Sequence, residues 1–275
     1  MLTILRLTLK EVVRRRILHV TILLSILFLA LFGTGVHYAF QNMSAEGSAL
    51  RAMIIPQFLS LGLFFGSFLI SFLAIMSSVG SVSLEIENGI ILAIIPRPIR
   101  RAEILLGKFL GYAVLLMSFA VIFYVTVIVI LQQTTGLSVV LRPGTVFLYA
   151  CQPLVLLALT LYGTTFLSTL ANGIVVFMLY MLGVMGGMIE QIGFMLKNQT
   201  LLQMGIISSL IMPADSLYRK IVSSVLSAAG INFSTFFLGP FGSSSEPSNN
   251  MLIYTALYII GFLALAIRRF SKRDI

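Results

Sequence analysis

Charge is scarce in this chain. Only 10% of its 275 residues are Asp, Glu, Lys or Arg, and 59% are hydrophobic, against roughly 25% and 45–50% in ordinary soluble domains. That balance excludes a water-soluble globular protein and indicates an integral membrane protein. Cysteine is nearly absent: Cys151 stands alone in an apolar run, so no intrachain disulfide can form and the redox compartment is not legible. The two histidines, His19 and His37, share no ligand spacing with Cys151, which gives no basis for a zinc site. A Gly-x-x-x-x-Gly-Lys-Ser/Thr run is also missing. Gly107-Lys108 lacks the earlier glycine and the following hydroxyl, so the chain cannot cradle a nucleotide through that loop. Energy for any driven step must come from a partner or a gradient.

What charge there is lies at the ends of apolar runs. The 18 basic and 9 acidic residues give a net +9, but their placement is the membrane pattern and not a stripe for nucleic acid, so the bilayer is the expected partner. Crossing the hydrocarbon takes about 20 mostly apolar residues, and six stretches qualify: 17–40, 57–80, 103–131, 145–169, 172–196 and 250–267. Lipid offers no hydrogen-bond partners, so their backbones must be helical. The fold class predicted is therefore all-α, a single polytopic membrane domain over residues 1–275. With the amino terminus inside, 13 of the 18 basic residues fall on the inner side; Arg51, Arg142, Lys197, Arg219 and Lys220 are left outside. This asymmetry predicts a multi-pass cell-membrane protein with both termini cytoplasmic.

Two regions lie outside the spans. Residues 1–16 pattern as an amphipathic interfacial helix, with Leu2, Leu5, Leu9 and Val12 on one side and Arg6, Lys10 and Arg14 opposite. The outer segment 197–249 holds two further apolar pieces, Leu201–Met212 and Ile221–Phe241, which we expect to be short re-entrant or interfacial helices before the last span. The Gly/Ser/Pro/Asn-rich stretch at 239–250 reads as exposed linker.

The stretch from Leu84 to Lys108 is the only place where charge is dense between two long apolar runs. Glu85, Glu87 and Gly89 open it, and Ile86, Ile90 and Ile94 recur at helical spacing, predicting a short helix with one apolar face. Pro96 and Pro98 end that helix rigidly, since a proline lacks a backbone donor and pushes its predecessor out of the α region. Arg100, Arg101, Glu103 and Gly107-Lys108 follow. Glu85 and Glu87 point about 200° apart on a helix, so they cannot converge on one substrate atom as an acid/base pair.

At these residues the chain resembles the permease subunits of ABC-2 type transporters, with Glu87, Gly89, Pro98, Arg101, Glu103, Gly107 and Lys108 in register and Ile90 where the family has threonine. The resemblance implies that 84–101 is a cytosolic coupling helix. In that family it touches a separate ATPase subunit that binds ATP and magnesium, so this chain itself would be no enzyme and would carry no cofactor. It also implies a second permease copy, identical or related, and an exporter. The coupling residues on this reading are Glu85, Glu87, Gly89, Pro98, Arg101 and Glu103.

Three other features tempt a functional reading. Met178, Met181, Met185, Met188 and Met195 form a stripe at helical spacing. Thioethers suit Cu(I), but methionine is also an adaptable filler at helix interfaces, and Gly183, Gly186 and Gly187 beside it suit close packing. We expect packing, with Met181, Met185 and Met188 at an interface or along a substrate path and no metal bound. Glu190 lies near the outer end of the same span, where an ionisable group is either functional or reaching for the interface. Pro213, Asp215 and Arg219 form an outer-face element, with Asp215 at a helix start and Arg219 four residues on, spaced for an ion pair. A gradient-driven secondary transporter would need a coupling carboxylate at mid-membrane, and only Glu190 comes near. A membrane-embedded enzyme would need convergent His, Asp or Glu groups, which the spans lack. The substrate is not written in the sequence.

Overall fold

The computed structural model describes residues 2–41, 48–84, 101–136, 141–228 and 247–272. Among them there is no strand. Helix α1 (Leu2–Arg14) runs into α2 (Arg16–Gln41) with a break at Arg15; α3 (Ser48–Ser78), α4 (Arg101–Thr135), α5 (Pro143–Gly163) and α6 (Thr169–Met195) follow. Two short helices, α7 (Gln199–Ile211) and α8 (Ala214–Ala228), precede α9 (Asn249–Ser271). Six of these are long and apolar enough to cross a membrane: α2, α3, α4, α5, α6 and α9. Glu85, Glu87, Gly89 and Pro98, the greater part of the expected coupling helix, lie outside the described residues.

Helices α3 and α5 are the most enclosed, whereas α2 and α9 keep most of their side chains outward. Ile253, Leu257 and Ile260 form an exposed stripe on α9, and Leu23, Ile26 and Leu31 do so on α2. In water such surface would be a liability; against lipid tails it costs nothing. Inside, one cluster joins Phe32, Leu63, Phe123, Tyr149 and Val222, and a second joins Val12, Leu73, Tyr112, Leu156 and Leu217. Phe64, Phe119 and Leu148 pack against both, so the core is continuous along the helix axes.

Helix α1 departs from the expectation. Its apolar side does not simply face lipid: Val12 is fully buried in the second cluster and Thr8 lies against Gly111 of α4. Arg6, Lys10 and Arg14 remain exposed on the other side. Packing on α4 therefore uses the face that a free amphipathic helix would give to the membrane.

The end of α3 is a junction. Carbonyls at its end and in the turn that follows take donors from three other regions of the chain. Arg15 Nη1 donates to Ser77 O at 3.0 Å, Asn172 Nδ2 of α6 donates to Val79 O at 3.3 Å, and Lys108 Nζ of α4 donates to Ser81 O. Cations suit this position because the carbonyl end of a helix is negative. Asn172 also reaches Thr160 O of α5 at 3.0 Å, and Arg269 near the end of α9 sits 4.4 Å over the Phe166 ring. The beginnings of α2, α4 and α6 thus share one end of the molecule with the ends of α3, α5 and α9. The spans alternate in direction, and Arg15 and Arg269 lie at the same end.

Replacing Asn172 by Leu should expose how much this junction stabilises. It takes the Asn172 donor from Val79 O and one of two donors from Thr160 O, which keeps Thr164 N, at a cost of about 1–3 kcal/mol. Thermal unfolding in detergent, followed by dye labelling of Cys151 as it becomes accessible, should show a clearly lowered midpoint. An unchanged midpoint would mean that the bonds add nothing.

Candidate functional site

The opposite end is built by α6, α7 and α8. Glycines let α6 and α7 approach as a close antiparallel pair: Gly186 faces Ser208, Gly193 faces the Leu201–Leu202 backbone, and Gly205 faces Glu190. Ser208 Oγ donates to Leu182 O across the pair at 2.7 Å. The reversal between the two helices needs a left-handed residue, Lys197 at φ 52°, and Asn198 then caps α7 by accepting from Thr200 N at 3.0 Å.

Pro213 ends α7. Met212 before it is extended, at φ −136° and ψ 90°, as a residue preceding proline prefers, and the chain turns by 110° into α8. The helix start expected at Asp215 and the apolar piece expected from Ile221 belong to one helix, α8, which begins at Ala214. The apolar run that marked it begins at Ile221, whereas the polar first turns, carrying Asp215 and Arg219, form on the strength of tertiary partners that a hydropathy scan does not register. Residues 229–241, the rest of that predicted piece, lie outside the described residues.

Those turns carry a buried charge cluster. Arg219 Nη1 meets Glu190 Oε1 of α6 at 2.8 Å, its Nε lies 3.0 Å from Asp215 Oδ2 one turn earlier, and its Nη2 donates to Ser209 Oγ of α7 at 2.8 Å. The Nε–Oδ2 contact is a charge pair in distance, but the N–H is not aimed at the oxygen, so it is no directed hydrogen bond. One guanidinium thus ties three helices together, using the fixed fork that lysine lacks. Gly187 is part of the same design: Asp215 Oδ2 occupies the space where any side chain at 187 would go. Burial pushes the Asp215 carboxyl up to about 6, the Arg219 guanidinium opposing the rise and Glu190 adding to it.

A cavity of 270 Å³ opens beside the cluster, its lining made of polar Glu190, Ser209, Ser216, Arg219 and Ser248 and of apolar Ile206, Leu210, Pro247 and Met251. Tyr254 and Tyr258 of α9 close the neighbourhood by donating to Leu210 O and Ile211 O at 2.6 and 3.1 Å.

Of the residues singled out in the sequence, Glu190, Asp215 and Arg219 come together here, and Pro213 makes the turn that allows it. The methionine stripe does not behave as one surface. Met178 and Met185 are exposed, while Met181 and Met188 pack against the second core cluster. Residues three apart on a helix sit about 60° from each other, and the edge of the packed face of α6 falls between the two rows. Arg101 begins α4 and Glu103 lies in its first turn, half-buried. Ser209 was not foreseen; a single serine in an apolar helix carries no signal until its partner is known. Lys108 was singled out, but its burial against a helix end was not.

Removing Arg219 should be the most damaging single change in this region. Arg219→Met leaves two carboxylates buried without a cation, and breaking such a cluster costs about 3–5 kcal/mol. Adding Glu190→Gln to it removes one of the stranded charges, so the double variant should unfold at a higher temperature than Arg219→Met alone. A double variant no more stable than the single one would show that the charges are not coupled.

A search of curated proteins gives no match. The family described as ABC-2 family transporter protein matches residues 2–275, essentially the whole chain. With six helices able to span a membrane, this full-length match shows that the chain belongs to the ABC-2 transporter family and is a multi-pass membrane component of an ABC transporter.

Proposed function

We propose that this chain is the permease subunit of an ABC exporter, forming the membrane path and driven by a separate ATPase subunit that binds ATP and magnesium. The observation that carries the reading is the match along the full chain to the ABC-2 family, which implies an ATPase partner. The segment 84–101, with Glu85, Glu87, Gly89, Pro98 and Arg101 and with Glu103 just beyond, is the proposed contact. It is the densest charge between two spans, and its prolines make it stiff enough to pass on a partner's motion instead of absorbing it. The junction at the end of α3 supports this placement. The chain enters the segment directly from carbonyls bonded to Arg15, Asn172 and Lys108, so a displacement there would reach α2, α6 and α4 together.

Two permease copies would flank the path, and exposed Met178 and Met185 on α6 suit a helix interface between them. The excess of Lys and Arg at that end supports a cytosolic position for both termini. The cluster of Glu190, Asp215 and Arg219 then lies on the outer side.

Topology is tested with single cysteines at Ser44, Ser244 and Lys272 in a Cys151→Ala background, treated on intact cells with an impermeant thiol reagent. Ser44 and Ser244 should label and Lys272 should not; the reverse pattern overturns the orientation. Coupling is tested by ATP hydrolysis in the co-purified complex carrying Glu87→Lys, Arg101→Glu or Gly89→Trp. Each charge reversal should lower hydrolysis while the complex still forms, because edge charges affect coupling more than assembly. Normal turnover in all three would reduce the segment to a plain loop.

A further inference from the structure

Helix α1 presents two unlike faces. Thr8 and Val12 are enclosed against α4 and the second core cluster, while Arg6, Lys10 and Arg14, one turn apart on the side turned away from them, are all exposed. Among the described residues none of these three cations pairs with a carboxylate. Glu11, the one acidic residue of α1, is paired with Arg15 at 2.5 Å. Lys10 and Arg14 line an open depression with Leu7, Glu11 and Arg15, and Leu7 and Val13, 62% and 50% exposed, set apolar surface beside the cations. Such a face fits a partner that joins concentrated negative charge to an apolar part.

The position of α1 selects the partner. Thr8 lies against Gly111, the eleventh residue of α4. That helix has 35 residues, about 50 Å of length against a hydrocarbon layer of about 30 Å, so its early turns reach the membrane edge. Arg15 is held at Ser77 O, close to the end of α3. From there the chain enters α2, whose outward residues Val20, Leu23, Ile26, Leu27 and Leu31 suit lipid tails. The cationic row therefore lies where tails give way to headgroups.

We propose that this face of α1 binds the headgroup of an anionic phospholipid, its phosphate between Lys10 and Arg14 and the first part of its acyl region against Leu7. A negatively charged headgroup is favoured over phosphatidylcholine, which brings its own cation to a site that already holds several. Free phosphate fits less well, because it leaves Leu7 uncovered and salt screens a small ion from exposed cations. Binding here does not depend on the exporter reading, since it concerns a surface of the folded chain and needs no ATPase partner.

The test uses the purified full chain in a neutral detergent. Dihexanoyl-phosphatidylglycerol is the probe, with dihexanoyl-phosphatidylcholine and sodium phosphate at equal ionic strength as controls, and unfolding is followed by dye labelling of Cys151. A ligand that binds only the folded state raises the midpoint saturably, so phosphatidylglycerol should lift it by a few degrees and the controls should not. Neutralising each cation should weaken the apparent affinity about fivefold, so Lys10→Gln/Arg14→Gln should remove most of the shift. The double variant Arg268→Gln/Lys272→Gln loses the same charge near the end of α9 and should keep it. Absence of a saturable shift in the wild type would overturn the proposal, as would an equal shift with either control. Equal losses in the two double variants would reduce the effect to net charge and overturn it too. A shift that persists in Lys10→Gln/Arg14→Gln while an ATPase subunit no longer co-purifies would assign the row to that subunit instead of to lipid.

Discussion

In hydrocarbon, a polar group that leaves its own helix must find its partner in another part of the same protein. That constraint shapes both ends of this molecule. Helical backbone satisfies itself along the spans, but helix ends do not, and each end of the bundle answers with a different device. At one end, carbonyls at the close of α3 and in the turn after it collect donors from Arg15, Lys108 and Asn172, which belong to three separate stretches of chain. At the other, Arg219 gathers Glu190, Asp215 and Ser209 from α6, α8 and α7.

The two devices differ in what they can do. A cation on a helix carbonyl end is a modest and directional stabiliser, and two of them, Arg15 and Lys108, with the Asn172 amide make the α3 terminus a fixed point from which motion can be passed on. A buried guanidinium with two carboxylates is less a source of stability than of specificity, since replacing such a cluster with apolar residues is often tolerated while breaking it is not. Its value here is that α7 and α8, too short to span alone, are held in one arrangement against α6. The cavity with its mixed polar and apolar lining exists because that arrangement is held.

Close approach of backbones is the other requirement, and glycine meets it. Gly186, Gly193 and Gly205 allow α6 and α7 to lie near enough for Ser208 to bond across the pair, and Gly187 leaves room for the Asp215 carboxylate. The contribution of these residues is the absence of a side chain, which is why small residues recur where membrane helices touch.

The family was legible from a resemblance at Glu87, Gly89, Pro98, Arg101 and Gly107-Lys108. The all-helical class and the number of spans were legible without coordinates, because hydropathy over about 20 residues and charge at the ends of apolar runs are local properties of the chain. The i,i+4 spacing of Asp215 and Arg219 was legible for the same reason. Tertiary structure alone decided the rest. It brought Glu190, 25 residues before Asp215 in the chain, against Arg219, and it recruited Ser209, because those contacts depend on the reversal at Lys197 and the turn at Pro213 acting together. It divided the methionines of α6 into an inward and an outward row, since spacing places them near one face but not where the neighbouring helices end. It also turned the apolar side of α1 onto α4: amphipathicity says that a face must be covered, and only the packed fold says by what.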